Sequence, residues 1–354
     1  MNSLETPITI ESVAYGGAGV GRLTDGRVCF VRGTLPGERV LVRIVKEKKS
    51  HAEAEVVRIL EASPRRVAPN CPVYGECGGC ALQHASYGLQ LEIKTSQVKE
   101  LLRRFAKLPE ASIDHILPSP KQWAYRNRIS IHIDRNLLGF FHRKSRNLVD
   151  VVHCPLASEE VNARLAELRQ NPPREESRLT LREDGAPRGF SQVNTAAADL
   201  LAATVIEMCG SGELLVDAYC GSGFFGKRLL EKFQKITGLE WSQGAVAEAK
   251  RSATEKETYL AGAVENSLAR VLSEAPLAAT TLLVDPPAAG LSPDVARAIL
   301  ESPPARLIYV SCDPATFSRD AAKFLGRYTL SRVQPVDMFP QTAEIELAGL
   351  FLLA

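Results

Sequence analysis

Leu214-Leu215-Val216-Asp217-Ala218-Tyr219-Cys220-Gly221-Ser222-Gly223 is a short apolar run that breaks into a glycine turn. A run of this length, bounded by turn residues, reads as a buried parallel strand. Its glycines let the backbone approach a ligand closely. The next apolar segment, Ile236-Thr237-Gly238-Leu239-Glu240, ends in an acid, which at a second strand end is placed to grip ribose hydroxyls. Further on, Thr281-Leu282-Leu283-Val284 runs into Asp285-Pro286-Pro287. An amphipathic helical pattern over 195–208 precedes these strands, and from Val193 onward strands and helices alternate. That alternation is the mark of a doubly wound α/β sheet.

A glycine turn alone is a weak signal. Gly226 completes a G-x-G-x-x-G pattern, which a dinucleotide dehydrogenase also uses. No base for a nicotinamide side is evident, however, and the Asp-Pro-Pro strand end points away from that class. Taken in order, Asp217, the loop, Glu240 and Asp285 predict an S-adenosylmethionine-dependent methyltransferase fold. A later strand, Leu307-Ile308-Tyr309-Val310, meets a Ser311-Cys312-Asp313-Pro314 break and then a segment able to start a helix. Chemistry in open α/β sheets gathers at the carboxyl ends of strands, so Cys312 sits where a reacting thiol would be placed. A buried free cysteine is the ordinary alternative.

The 354 residues, 45% hydrophobic and 24% charged, fit a globular chain of two or three domains. Met1 to Thr6 lack a signal-peptide pattern, and no apolar run reaches membrane-spanning length. The expectation is a cytoplasmic protein without a membrane partner. Its eight cysteines should then be reduced, metal-bound or catalytic, not bridged. Net charge is only +2, but the first 150 residues hold the excess of Lys and Arg and the remainder the excess of Asp and Glu. A basic front on an acidic back suits a polyanion-gripping module joined to a catalytic one. His51, His84, His115, His132, His142 and His153 all precede residue 154, so the back half has no imidazole for proton transfer.

Residues 1 to about 60 read as a small β unit. Strands are expected at 8–13, 27–31, 38–46 and 52–60, with glycines 16, 17, 19 and 21 between the first two. Such short strands suggest an oligonucleotide-binding type of barrel, and Arg39, Arg43, Lys46, Lys48 and Lys49 could give it a basic face for phosphates. Cys71, Cys77 and Cys80 follow in a C-x5-C-x2-C pattern, and Cys154, between His153 and Pro155, is the best fourth partner. Such thiolates suit Zn²⁺ or an iron–sulfur cluster. Leu91, Val98, Leu101, Leu102 and Phe105 recur at helical spacing and predict a docking helix over 87–105 with an apolar core stripe. Strands are expected over 123–133 and 137–152, rich in Arg126, Arg128, Arg143, Lys144 and Arg146, and 166–188 reads as a polar, Pro-broken linker.

At this point the chain resembles the RNA uracil-C5 methyltransferase family, in the branch that carries a TRAM domain and a [4Fe–4S] cluster. The resemblance rests on residues 5–60, on the four cysteines with Cys80-Ala81-Leu82-Gln83-His84, and on Tyr125-Arg126-Asn127-Arg128. Phe190-Ser191-Gln192-Val193-Asn194, the glycine loop, Asp285-Pro286-Pro287, Ser311-Cys312-Asp313-Pro314 and Asp337-Met338-Phe339-Pro340 complete it. It implies a TRAM barrel (1–62), an α+β iron–sulfur domain (63–188) and an α/β methyltransferase domain (189–354).

The resemblance also implies roles. Cys312 would be the nucleophile, Asp285 the acid on the uracil edge, and Glu346 the base. Gln192, Tyr219, Gly221, Gly223, Glu240 and Asp285 would hold S-adenosylmethionine. Cys71, Cys77, Cys80 and Cys154 would ligate the cluster. The substrate would be a uridine in 23S ribosomal RNA, with transfer RNA or another nucleobase the alternative, and the protein a monomer. The chain departs from the family where Ala288 replaces an arginine, where Phe224 replaces a small polar residue, and where 341–346 reads Gln-Thr-Ala-Glu-Ile-Glu. Ala288 and Phe224 keep open a non-catalytic RNA-binding or ribosome-assembly role. The final strand is expected over 344–352, with Glu344 and Glu346 on one side.

Overall fold

The computed structural model describes residues 5–108, 113–134, 137–143, 145–173, 177–185 and 192–354. Alternating apolar residues fold the front of the chain into five strands: β1 (Glu5–Ala14), β2 (Ala18–Arg22), β3 (Val28–Arg32), β4 (Arg39–Glu47) and β5 (His51–Glu61). They close a barrel in the order β1-β2-β3-β5-β4, filled by Ile8, Ile10, Cys29, Val31, Val40 and Val42. Of the glycines expected to separate strands, Gly16 and Gly17 lie in the turn after β1, whereas Gly19 and Gly21 belong to β2. A Cβ on Gly19 would stand 2.0 Å from Thr34 Oγ1, so this strand needs glycine to lie close to its neighbour.

The docking helix is present as α1 (Tyr87–Leu101), continued by one π turn over Leu102–Ala106. Its buried side carries Leu89, Ile93 and Val98, whereas Phe105, expected in the core stripe, is 45% exposed. Val98, Leu102 and Ala106 pack into the hydrophobic core of the C-terminal sheet. Lys94 fixes the helix there: its ammonium donates to Asp337 Oδ1 (2.6 Å) and to the Phe339 carbonyl (3.0 Å). Both charges are fully buried, so removing either partner would leave an uncompensated charge.

A four-stranded sheet ordered β8-β7-β6-β9 follows. It consists of β6 (Arg128–Asp134), β7 (Leu137–Phe141), β8 (Leu148–Asp150) and β9 (Ser177–Arg182), with α2 (Glu159–Gln170) on one face. Two expectations change here. The strand expected from residue 123 begins at Arg128. Within the expected linker, α2 runs to Gln170, and β9 pairs antiparallel with β6. The prolines at 172 and 173 drew attention from Leu179 and Leu181, whose alternation is the strand signal. Lys144 lies outside the described residues.

The C-terminal part is the alternating pattern realised. In order it comprises α3 (Thr195–Cys209), β10 (Gly212–Ala218), β11 (Phe233–Glu240), α4 (Gln243–Arg251), β12 (Glu257–Ala261) and α5 (Val264–Ser273). Then come β13 (Thr280–Val284), α6 (Pro293–Glu301), β14 (Arg306–Ser311), α7 (Pro314–Phe324), β15 (Tyr328–Val336) and β16 (Glu346–Leu353). The sheet order is β12-β11-β10-β13-β14-β16-β15. β10 to β14 run parallel, and β16 lies antiparallel between β14 and β15. Strand order reverses beside β10, the place where open α/β sheets bind ligands. Among the described residues, no helix is long and apolar enough to cross a membrane.

Candidate active site

Three strand ends meet on one edge of the sheet. Val284, the last residue of β13, pairs with Tyr309 of β14, so Asp285 leaves beside the end of β14. Ser311, the last residue of β14, pairs with Leu347 of β16. One step further along that register, Cys312 faces Glu346, the first residue of the antiparallel strand. Neighbouring strands lie about 4.8 Å apart, so Asp285, Cys312 and Glu346 form one constellation. The sequence placed all three, and the sheet brings them together.

Their environments differ. Cys312 is the exposed thiol among the eight free cysteines. The surrounding walls push it up to about 11, and the carboxyls of Glu346 and Asp285 add to the shift. Burial raises Asp285 to about 7. Glu346 is buried, and that burial, with Asp285 and Glu344 nearby, holds its carboxyl well above the usual range. Glu344 is not on the final strand, which starts two residues later. Its N–H donates to Thr342 Oγ1 (3.2 Å), its side chain is exposed, and its carboxylate stands 3.9 Å from Arg126. The expectation that both glutamates share one strand face is therefore corrected by the turn that precedes the strand.

The turn that carries Cys312 is braced from several sides. Asp313 Oδ1 caps α7 by accepting from Thr316 N–H (2.7 Å), and Asp313 N–H donates to Ser311 Oγ (3.2 Å). Asp320 is fully buried and accepts from the Tyr309 hydroxyl (2.9 Å) and from Leu291 N–H (2.9 Å). It thereby ties β14 and α7 to the turn that carries Ala288. That turn is also held where Arg319 donates to the Ala289 carbonyl (2.9 Å). The sequence reading missed Asp320; its i,i+3 spacing to Lys323 was the available signal. It also missed Tyr15, whose hydroxyl reaches Asp313 Oδ2 at 3.5 Å from the barrel's first hairpin.

The glycine loop occupies the neighbouring strand ends. Tyr219, Gly221 and Gly223 all have positive φ (65°, 55° and 85°). Glu240 accepts from Gly221 N–H through Oε2 (3.1 Å) and from Ser242 N–H through Oε1 (2.8 Å). The acid expected to grip a ribose thus also clamps the loop onto β11. Asp217 accepts from Gly226 N–H (3.1 Å), while its Oδ1 is buried without a hydrogen-bond partner. Burial raises its carboxyl to about 7. A Cβ on Gly223 would meet Tyr259 Oη at 2.7 Å, so the loop has no room for a side chain there. Phe224 lies under the Arg228 guanidinium, 4.1 Å from ring centre to Cζ. Gln192 is half-buried at the start of α3, and its carbonyl accepts from Asn127 Nδ2 (2.9 Å). Phe190 and Ser191 lie outside the described residues.

Cys71, Cys77, Cys80 and Cys154 line a single cavity of about 90 Å³, walled by Ile129, Phe140, Val151, Leu156 and Arg126. Burial raises the Cys71, Cys77 and Cys80 thiols, the last to about 12. Among the described residues, no three His, Cys, Asp or Glu side chains are grouped to hold a metal ion. His84 donates nothing to this cavity. It is buried between the Tyr74 hydroxyl (2.6 Å) and the Thr34 carbonyl (3.5 Å), and burial lowers its pKa to about 4.

Comparison with known proteins adds family evidence to this geometry. Residues 4–57 match the TRAM domain, and residues 267–354 match the tRNA (uracil-5-)-methyltransferase family. The chain is 34% identical to an uncharacterized RNA methyltransferase of Bdellovibrio bacteriovorus, with 96% of this chain and 93% of that protein covered. It is 30% identical to an uncharacterized RNA methyltransferase of Aquifex aeolicus, with 97% of both covered. The fold is shared with the tRNA (uracil-54, C5)-methyltransferase of Pyrococcus abyssi, whose crystal structure contains S-adenosyl-L-homocysteine. That likeness has a TM-score of 0.75 at 24% identity, over 98% of this chain and 100% of the other.

Proposed function

The chain belongs to the S-adenosylmethionine-dependent RNA (uracil-5-)-methyltransferase family, and on that premise we propose that it methylates C5 of a ribosomal RNA uridine through a covalent Cys312 adduct. The observation that carries the reading is the meeting of Asp285, Cys312 and Glu346 at adjacent strand ends. C5 of uracil is too weak a nucleophile to take a methyl group unaided. Addition of the Cys312 thiolate to C6 makes C5 enolate-like and splits one hard step into easier ones. Asp285, protonated more readily than an ordinary aspartate because it is buried, donates a hydrogen bond to the uracil edge where charge develops. After methylation Glu346 removes the C5 proton, the C5–C6 double bond re-forms, and the Cys312 sulfur leaves. A carboxylate is the fitting base, since no histidine follows residue 153. The target base must leave its stack to reach these groups.

S-adenosylmethionine supplies an electrophilic methyl on a cationic sulfonium. The chain fits such a donor with a side-chain-free glycine cradle and the acids Asp217, Glu240 and Asp285 around it. Gln192, Tyr219, Gly221 and Gly223 complete the proposed donor site. The four cysteines are proposed to hold a [4Fe–4S] cluster as a structural group. Four thiols that line one cavity without a histidine or carboxylate among its walls are a soft donor set that suits it, and they would have to draw together to ligate it.

The four-cysteine cavity beside a TRAM barrel favours ribosomal RNA. Transfer RNA is the second reading, favoured by the fold shared with the Pyrococcus enzyme. Mass spectrometry of ribosomal and transfer RNA nucleosides from a deletion strain separates them, with loss of 5-methyluridine from 23S RNA expected. On denaturing gels with substrate RNA and labelled donor, Glu346→Gln should cut turnover about 10²- to 10⁴-fold and accumulate a methylated adduct. Glu344→Gln should turn over, and Cys312→Ala should give no adduct. An adduct trapped by Glu344→Gln while Glu346→Gln turns over would reverse the assignment of the base.

A further inference from the structure

The cations expected to form a phosphate-binding face on the barrel are largely neutralised by their own neighbours. Arg39 pairs with Glu61 (3.4 Å), Arg43 with Glu5 (2.9 Å), and Lys46 with Glu53 (3.4 Å). A different place on the barrel carries positive charge without such partners. Between the barrel and the four-cysteine unit runs a cavity of about 750 Å³, lined among others by Tyr15, Phe30, Arg32, His142 and Arg143. Arg32 comes from the end of β3, and Arg143 from the turn after β7. Their hydrogen bonds go to carbonyls: Arg32 donates to Gly16 (3.0 Å), and Arg143 to Cys80. Among the described residues neither guanidinium has an ion-pair partner. Glu53 and Glu55 also line the cavity, and Glu53 is engaged by Lys46.

Two guanidiniums that line one cavity, each bonded to a carbonyl and neither ion-paired, form a site for an anion. The aromatic rings beside them are surfaces on which bases stack. Tyr15 lines the cavity, and its hydroxyl reaches Asp313, the residue after Cys312. We propose that this seam binds the phosphodiester backbone flanking the target uridine, with Arg32 and Arg143 as the phosphate ligands. The proposal rests on the uridine-methylating reading and assigns the strand's route to Cys312. The barrel face at β4 then contributes little to binding.

The test is the salt dependence of binding to a labelled single-stranded RNA of roughly 12 nucleotides, using the full-length protein. Arg32→Gln and Arg143→Gln should each lower the slope of log affinity against log salt by about 0.7, and the pair by about 1.4. An Arg39→Gln, Arg43→Gln, Lys46→Gln triple variant should keep the wild-type slope. Because Arg143 also bonds the Cys80 carbonyl, the Arg32 variant alone decides if the Arg143 variant loses its fold. A slope changed by the triple variant and unchanged by Arg32→Gln overturns the proposal. Methylation by wild type is scored on cellular RNA in parallel. Methylation with an unchanged Arg32→Gln slope removes the seam and leaves the function, whereas the expected slopes without 5-methyluridine do the reverse.

Discussion

The two sides of the C-terminal sheet edge use carboxylates in opposite ways. At the β10–β11 side, Glu240 has each oxygen occupied by a backbone N–H, from Gly221 and from Ser242. Hydrogen bonds to both oxygens fix the shape of the loop. At the β13–β14–β16 side, burial raises both Asp285 and Glu346, the nearby Asp285 and Glu344 raise Glu346 further, and Glu346 and Asp285 raise Cys312 with them. One side holds a loop still, and the other is the side proposed to exchange protons. Strand direction contributes to the difference by supplying Glu346. Parallel strands feeding helices expose N–H groups at their ends, whereas the antiparallel β16 delivers a side chain straight to the same edge.

The largest effect that tests this contrast is on the loop side. Glu240→Ala removes two charge-assisted hydrogen bonds together with the group proposed to meet the ribose, so affinity for S-adenosylhomocysteine should fall about a hundredfold. Calorimetry measures it. Alkylation of Cys312 should keep its wild-type pH profile in the same protein, which also reports that the catalytic side is intact. Undiminished binding would reduce Glu240 to a brace for the loop.

A smaller effect belongs to the catalytic side. The walls around Cys312 hold the thiol up first, and Glu346 is the next cause. Glu346→Gln therefore removes a negative neighbour and lowers the thiol pKa, leaving the larger cause in place. At pH 8 the rate of iodoacetamide alkylation at Cys312, read by peptide mass spectrometry, should rise several-fold. No rise would mean that Glu346 and Cys312 are electrically separate, and the proposed base would be too remote to serve.

Much of this contrast was legible in the sequence, and its limits are instructive. The glycine loop, Glu240, Asp285 and Cys312 announce themselves because each follows an apolar run, and a run's end is a local property. The meeting of Cys312 with Glu346 depends on the register of an antiparallel strand inserted between β14 and β15, which no local pattern states. β9 was hidden by the neighbouring prolines, and β2 by glycines that a strand ordinarily avoids. Tyr15 reaches Asp313 across 298 positions, a contact made by domain packing. The barrel's cations were readable as residues, but their cross-strand carboxylate partners were not, because pairing is set by closure of the barrel.

The smallest expected effect sharpens the comparison from beneath the loop. Asp217 is buried on the loop side, yet it behaves like Asp285 and Glu346: burial raises it to about 7, and one oxygen has no partner. A carboxyl whose pKa is higher in the folded chain binds its proton more tightly there than in the unfolded chain. Its contribution to stability is therefore fully present below the unfolded value and is lost as pH rises through about 7. Asparagine imitates the protonated acid at every pH, since it can still offer an oxygen to Gly226 N–H. Asp217→Asn should accordingly leave Tm nearly unchanged at pH 5 and raise it at pH 8, on the order of 2–5 °C by calorimetry. Asp285 and Glu346 keep the remaining fall of stability with pH, so the variant's profile flattens without becoming level. A Tm lowered at pH 8 would mean that the ionised carboxylate is compensated in the folded chain, and Asp217 would then join Glu240 as part of the fixed side.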